Sequence, residues 1–206
     1  LAHVPLACDV IPLSQGLGRV LAEDIVSPEA SPPFSRATMD GFAVAAQDTF
    51  GASESMPSLL YVKGQVKMGE VPKYSLASGE AVRIATGGML PPKADAVVML
   101  EYTDFVGNEI AVYRPVAPGE NVIRAGEDYQ PNDLVLARGH KLRPQDLGIL
   151  ASLGVEEIKV RRKPRVAIIS TGDELVEPAK NPAPGQIRDV NSTALGALVR
   201  QAGGVP

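Results

Sequence analysis

Asp95-Ala96-Val97-Val98-Met99-Leu100, followed by the turn pair Gly107-Asn108 and by Ile110-Ala111-Val112-Tyr113, is the stretch on which the fold class turns. The first run is largely apolar and only strand-long, which reads as a buried strand. Gly107-Asn108 supplies hairpin chemistry before the next apolar run. Working outward, Ala81-Val82-Arg83-Ile84 alternates and Tyr61-Val62-Lys63-Gly64-Gln65-Val66 partly alternates, so residues 24–113 read as short strands between turns. The fold expected is mainly β with some helix, the β part irregular or barrel-like. Composition agrees: Gly 20 and Pro 18 among 206 residues argue against a helix bundle or coiled coil.

Helical signals flank this region. Leu13, Leu17, Val20 and Leu21 recur at the spacing of one helical face, although Gly16 and Gly18 weaken it. Pro144 suits a first helical position, Leu147, Leu150 and Ala151 form an apolar face, and Gly154 suits the left-handed position past the end. A strand over 155–160 follows, then the basic cluster Lys159, Arg161, Arg162, Lys163 and Arg165, for which a solvated linker is the plain reading. Val166-Ala167-Ile168-Ile169 then reads as a parallel strand buried on both faces. Asn191 is placed to cap a helix bearing Leu195, Leu198, Val199 and Ala202, and Val205 to open a further strand. One strand, loop and helix of a βαβ unit need a neighbouring strand, so the chain is expected to be a fragment of a longer protein. It begins Leu1-Ala2-His3 without Met, which points the same way.

Charge and composition exclude several functions. Lys and Arg total 20 against 24 Asp and Glu, which argues against nonspecific nucleic-acid binding. No apolar run has the length of a membrane-crossing helix, and no basic-then-apolar leader is seen. Cys8 is the sole cysteine and fits a reducing compartment, read as a small buried apolar residue. His3 and His140 lack metal-ligand spacing, so nucleophilic Cys/His chemistry has little support.

Four turns carry acidic or hydroxyl side chains beside glycine. Asp40-Gly41 lies between apolar residues, and composition alone favours a hairpin turn. Arg83-Ile84-Ala85-Thr86-Gly87-Gly88 runs from strand to loop and offers a hydroxyl and backbone N–H groups to an anionic oxygen, with an ordinary strand-ending loop as the alternative. Arg124-Ala125-Gly126-Glu127-Asp128 is either a carboxylate-bearing site or a solvated turn. Thr171-Gly172-Asp173-Glu174 follows a parallel-type strand, the position where open α/β sheets bind ligands, and its carboxylates suit Mg²⁺. It is not a Walker A loop, since no Gly-Lys-Ser/Thr follows.

Taken in order, these segments resemble the molybdopterin molybdenumtransferase family, the bacterial MoeA proteins and the E domain of gephyrin. The resemblance runs through Gly18-Arg19-Val20-Leu21-Ala22-Glu23-Asp24, Pro32-Pro33-Phe34 with Met39-Asp40-Gly41-Phe42-Ala43-Val44, and Thr86-Gly87 with Leu90-Pro91. It continues through Ala94-Asp95-Ala96-Val97-Val98, Arg124-Ala125-Gly126-Glu127-Asp128, Ser170-Thr171-Gly172-Asp173-Glu174-Leu175, and Gly185-Gln186-Ile187 with Asp189 and Asn191. Departures are Ser35-Arg36-Ala37-Thr38 before Met39, Phe42 where Tyr is common, and Gly88 for a frequent Ala; none removes a carboxylate.

The resemblance implies a MoeA-like arrangement: a small helix-containing domain from 1–30 and 139–163, a β-rich domain over 31–138, and the opening of a three-layer α/β molybdopterin-binding domain over 164–206. It implies a cytoplasmic homodimer with a shared active site that inserts molybdenum from molybdate into adenylylated molybdopterin and releases AMP with Mg²⁺. A molybdopterin adenylyltransferase is the implied pathway partner, and neither nucleic acid nor membrane is. By position, Asp40, Thr86, Asp128 and Glu174 are the implied catalytic residues, Asp40 and Thr86 entering from the partner subunit. Gly87, Thr171, Gly172 and Asp173 would bind substrate, and Asp173 and Glu174 would hold Mg²⁺. The family's molybdate residues would lie beyond Pro206, so these 206 residues alone are not expected to complete the reaction. A non-catalytic scaffold on the same fold and a tungsten-inserting paralogue are the alternatives.

Overall fold

The computed structural model describes residues 6–206; His3 lies outside them. In chain order the first strands are β1 (Cys8–Pro12), β2 (Ile25–Val26), β3 (Arg36–Ala37), β4 (Gly41–Val44), β5 (Ser58–Gln65), β6 (Glu80–Ile84) and β7 (Ala96–Met99). They are followed by β8 (Thr103–Val106), β9 (Glu109–Val112), β10 (Val122–Ile123), β11 (Leu134–Leu136), helix α1 (Pro144–Ser152), β12 (Glu157–Arg161), β13 (Leu175–Val176), β14 (Ile187–Arg188) and helix α2 (Asn191–Gln201). The chain forms two compact units, one from Leu1–Val26 with Leu134–Pro206, the other from Ser27–Asp133.

The second unit is built on a six-stranded sheet in the order β7-β4-β6-β5-β9-β8. All its pairings are antiparallel except β5 with β6. The sheet curls: a 3₁₀ turn at Leu100–Tyr102 carries the chain from one edge strand to the other, and the rings of Phe42 on β4 and Phe105 on β8 meet edge-to-face at 5.6 Å. Apolar alternation fills both faces. Phe42, Val44, Ala96 and Val98 join Leu60, Ile110 and Val112 in one core, while Ala43, Val97, Val82 and Ile84 join Leu76 and Val66 in the other. The buried strand read over Asp95–Leu100 is found at Ala96–Met99, with Leu100 opening the 3₁₀ turn, and the Gly107-Asn108 turn joins β8 to β9 with Gly107 at φ 64°.

In the first unit, β1 pairs antiparallel with β12 and β2 with β11. Its core gathers Leu21, Leu142, Leu150, Ile158 and Val160. Helix α1 starts at Pro144 as expected, and Gly154 takes φ 71° past its end. The Asp146 carboxylate, within the first turn, accepts the Arg143 backbone N–H at 2.8 Å.

Four local expectations are corrected. Residues 13–21 form no α-helix, only a 3₁₀ turn at Leu13–Gln15. Gly16 packs where a Cβ would crowd Ile158 and Leu147, and Gly18 sits at φ 71°, turning the chain so that Val20 and Leu21 bridge Lys141 and Val160. The apolar spacing was real, and Leu21 is fully buried, but it arrives as extended chain. Val166-Ala167-Ile168-Ile169 has no strand ladder and Ile169 is 83% exposed. The one neighbour supplied is Val205, which bridges Arg165 in parallel and accepts the Val166 N–H at 2.9 Å, too little pairing to make a ladder. The α2 cap is Asp189 rather than Asn191: its carboxylate accepts the Ser192 backbone N–H at 3.0 Å. Cys8 is half-buried on β1, its sulfur within 3.4 Å of the Arg161 guanidinium.

Among the described residues no helix is long and apolar enough to cross a membrane.

Candidate functional site

Asp40 closes the approach to β4. Its Oδ1 accepts both the Thr86 backbone N–H, at 2.7 Å, and the Thr86 hydroxyl, at 2.8 Å. These bonds, the backbone one foremost and the hydroxyl next, with a smaller contribution from the Arg83 charge, hold the Asp40 carboxyl below its usual range. Both side chains are exposed, so the carboxylate is oriented and ionised yet open to a ligand through Oδ2. A small cavity beside it is lined by Gln65, Arg83, Ala85 and Leu100. An ionised acceptor in this setting suits a cation or N–H and O–H donors.

The Asp40-Gly41 pair is not a hairpin turn. Gly41 opens β4 and lies between Ile84 of β6 and Met99 of β7. Any Cβ there would overlap the Val98 carbonyl oxygen, so close backbone approach fixes the glycine. The Thr86-Gly87-Gly88 loop holds an anionic oxygen, as its chemistry suggested, but it is the protein's own. Thr86 donates to Asp40, while the Gly87 N–H goes to Ala37 O at 2.8 Å and the Gly88 N–H to Ala85 O at 2.9 Å. Gly87 itself takes φ 83°.

The loop carrying Asp128 is fastened to the same segment. β10 pairs with β3, the Thr38 N–H reaches Asn121 O at 3.0 Å, and the Gly126 and Asp128 N–H groups bond Pro32 O and Ser31 O at 2.8 and 2.9 Å. Ser35 Oγ accepts the Ala125 N–H at 3.1 Å. Glu127 is spent on its own turn, accepting the Arg124 N–H at 2.9 Å, which leaves the Asp128 carboxylate, exposed like that of Glu127, as the unengaged one of the pair. Three of the four turns therefore converge on residues 31–41: the Asp40 approach, the Thr86 turn and the Asp128 loop.

The fourth, Thr171-Gly172-Asp173-Glu174, belongs to the first unit. All four residues are exposed. The Leu175 N–H closes a turn on Gly172 O at 3.1 Å, and Glu174 O accepts the Ile187 N–H at 2.8 Å where β13 and β14 run parallel. The Glu174 carboxylate lies over Gly172, where a Cβ would come within 2.8 Å of its oxygens. Asp189 escaped selection as a site residue, yet it ties this loop to α2. Besides capping Ser192 it accepts the Ser170 hydroxyl at 3.0 Å, and the Ser192 bonds lead in holding its carboxyl below the usual range. A signal for it was present: an Asp three residues ahead of Ser192, just before an apolar helical run.

Among the described residues no three His, Cys, Asp or Glu side chains cluster as a metal cage. Asp173 and Glu174 offer two carboxylates with room around them, which fits Mg²⁺, an ion that commonly takes one or two carboxylates and completes its shell with water and phosphate oxygens.

A curled β unit carrying a locked Asp–Thr pair, in a chain whose other unit has an acidic loop preceding a helix, is the framework of one family. The family model for the MoeA N-terminal region, domains I and II, matches residues 1–154, and the chain belongs to the MoeA family. It is 40% identical over 193 residues to Molybdopterin molybdenumtransferase 2 of Mycobacterium tuberculosis, covering 94% of this chain and 48% of that protein. It is 42% identical over 201 residues to a putative molybdopterin biosynthesis protein of Methanocaldococcus jannaschii, with coverage of 94% and 48%. The crystal structure of the molybdopterin biosynthesis MoeA protein of Pyrococcus horikoshii superposes with a TM-score of 0.90 at 42% identity, covering 97% of this chain and 53% of that one. The chain thus spans about half the length of the curated relatives it matches.

Proposed function

We propose that this chain contains the N-terminal region of a molybdopterin molybdenumtransferase acting in molybdenum cofactor biosynthesis. The complete protein would insert molybdenum from molybdate into adenylylated molybdopterin and release AMP. The observation carrying this reading is the convergence of the Asp40, Thr86 and Asp128 segments, in a chain of the MoeA family.

Each residue has a physical task in it. Asp40, kept ionised and aimed by Thr86, accepts hydrogen bonds from the substrate; in a homodimer with a shared site these two side chains come from the partner subunit. Gly87 bends the chain so that Thr86 reaches Asp40. Asp128 orders its loop at the rim. The Thr171 hydroxyl and the bare backbone of Gly172 approach the phosphates, and Asp173 and Glu174 would hold Mg²⁺. That ion would neutralise phosphate charge as the pyrophosphate bond breaks. Phosphate-bond cleavage of this kind rests on positioning and electrostatics, which suits a chain with one cysteine and two histidines. The substrate implies a preceding adenylyl transfer, the reaction of a molybdopterin adenylyltransferase partner. The setting is cytoplasmic, with no nucleic acid and no membrane involved.

The test is metal insertion into adenylylated molybdopterin by the full-length protein with Mg²⁺, comparing molybdate with tungstate. AMP release driven by molybdate is the expected result. Release driven by tungstate alone would make the protein a tungsten-inserting paralogue, and no release with either oxyanion would make it a scaffold.

A further inference from the structure

Of the basic cluster read from the sequence as a solvated linker, Arg162 and Lys163 do lie on the exposed connection after β12, and Lys159 and Arg165 stay outside the cleft that the other three help to line. Arg161 belongs to β12, and together with Arg162, Lys163, Arg19 and Lys141 it lines one cleft of about 290 Å³ in the first unit. Val20, Pro164 and Gly203, the last just past α2, supply an apolar remainder of the wall. None of the residues Thr171–Glu174 lines it, so the cleft is distinct from that loop.

Among the described residues only two of the five cations pair with a carboxylate, that of Asp9. Asp9 Oδ1 accepts Arg162 at 3.0 Å and Asp9 Oδ2 accepts Arg19 at 3.5 Å. Arg161 spends its guanidinium on neutral acceptors, Leu6 O at 3.1 Å and Cys8 Sγ at 3.4 Å. Lys141 and Lys163 have no ion pair among the described residues. The C-terminal end of α2 contributes at most about half a negative charge. Like charges gathered on the walls of a concavity repel one another, and the same walls focus their field on an anion placed between them.

We propose that this cleft binds a small phosphorylated molecule carrying at least two negative charges. Its volume suits a ligand of that size rather than a polymer. Arginine forks match phosphate oxygens, with the lysines as point charges at the mouth. The apolar wall takes the uncharged part of the ligand. The whole chain carries more acidic than basic residues, which counts against an extended nucleic acid.

The probe is inorganic pyrophosphate, titrated calorimetrically into the full chain at low salt without Mg²⁺. Saturable binding of one equivalent per chain is expected. The exposed pair Lys141→Glu with Lys163→Glu should weaken it roughly tenfold or more. A control with the same change in net charge, Lys67→Glu with Lys73→Glu, neither of which lines the cleft, should leave it within about twofold. Three results would overturn the proposal: no saturable binding, equal weakening by the control pair, or displacement of pyrophosphate by a short RNA that binds more tightly.

Discussion

Replacing Gly41 with alanine is expected to destabilise the second unit by about 3 kcal/mol, an overpacking cost at the upper end of its usual range. The thermal midpoint should fall by roughly 10 °C for a chain of this size. The reason is local and specific. Gly41 pairs on both sides, with Ile84 and Met99, and its missing Cβ is the space occupied by the Val98 backbone. Backbone in the middle of a sheet cannot swing aside like the end of a side chain, so β4 or β7 must shift. A shift of β4 also moves Asp40 off Thr86, so the variant should lose the oriented carboxylate along with stability. Gly148 is the internal contrast. It lies in α1 with no neighbour near its would-be Cβ, and Gly148→Ala should stabilise slightly, by up to about 1 kcal/mol. Thermal unfolding of the two variants reads both, and a neutral Gly41→Ala would contradict the packing described.

Asp146→Ala should cost the first unit about 3 kcal/mol, since it removes a buried charged acceptor shared by several donors. The Asp146 side chain is 2% exposed. It accepts the Arg143 backbone N–H, the Arg143 guanidinium at 3.0 and 3.1 Å, and His140 Nε2 at 2.7 Å. These bonds, the guanidinium first, outweigh its burial and hold the carboxyl well below the usual carboxylate range. A depressed value stabilises the folded form above the ordinary carboxylate pKa, near about 4, and the stabilisation fades as pH falls from there through the folded-state value. The gap between wild type and Asp146→Ala in urea unfolding should therefore be full at pH 7 and shrink only below about pH 4. A gap that closed nearer neutrality would contradict this assignment to the Asp146 carboxylate.

The β-rich character was legible because it is local. Apolar runs such as Ala96–Met99 and Ala81–Ile84 are bounded by turn residues, and each forms a strand. Gly107-Asn108 and Pro144 likewise act through their own backbone preferences. What escaped depends on partners distant in the chain. Gly41 reads as half of a turn pair because nothing near it announces that Val98 will pass so close. Leu13, Leu17, Val20 and Leu21 keep helical spacing while Gly18 turns the chain the other way. The residues of the Thr86 turn allow either a holder of anionic oxygen or an ordinary strand-ending loop, and that Asp40 fills it is a fact of the pairing between β4 and β6. Order along the chain carried the family, since separated turns that mean little singly are informative as a series.

The Asp40–Thr86 pair is proposed to serve molybdenum insertion in the complete protein. This role is tested most directly by the rate of molybdate-dependent cofactor formation in the full-length protein, comparing wild type with Asp40→Asn and Glu174→Gln. Losing a charged group that acts on the substrate should lower the rate of each variant by roughly a hundredfold or more, with folding intact by thermal unfolding. Wild-type rates from both variants would contradict the account.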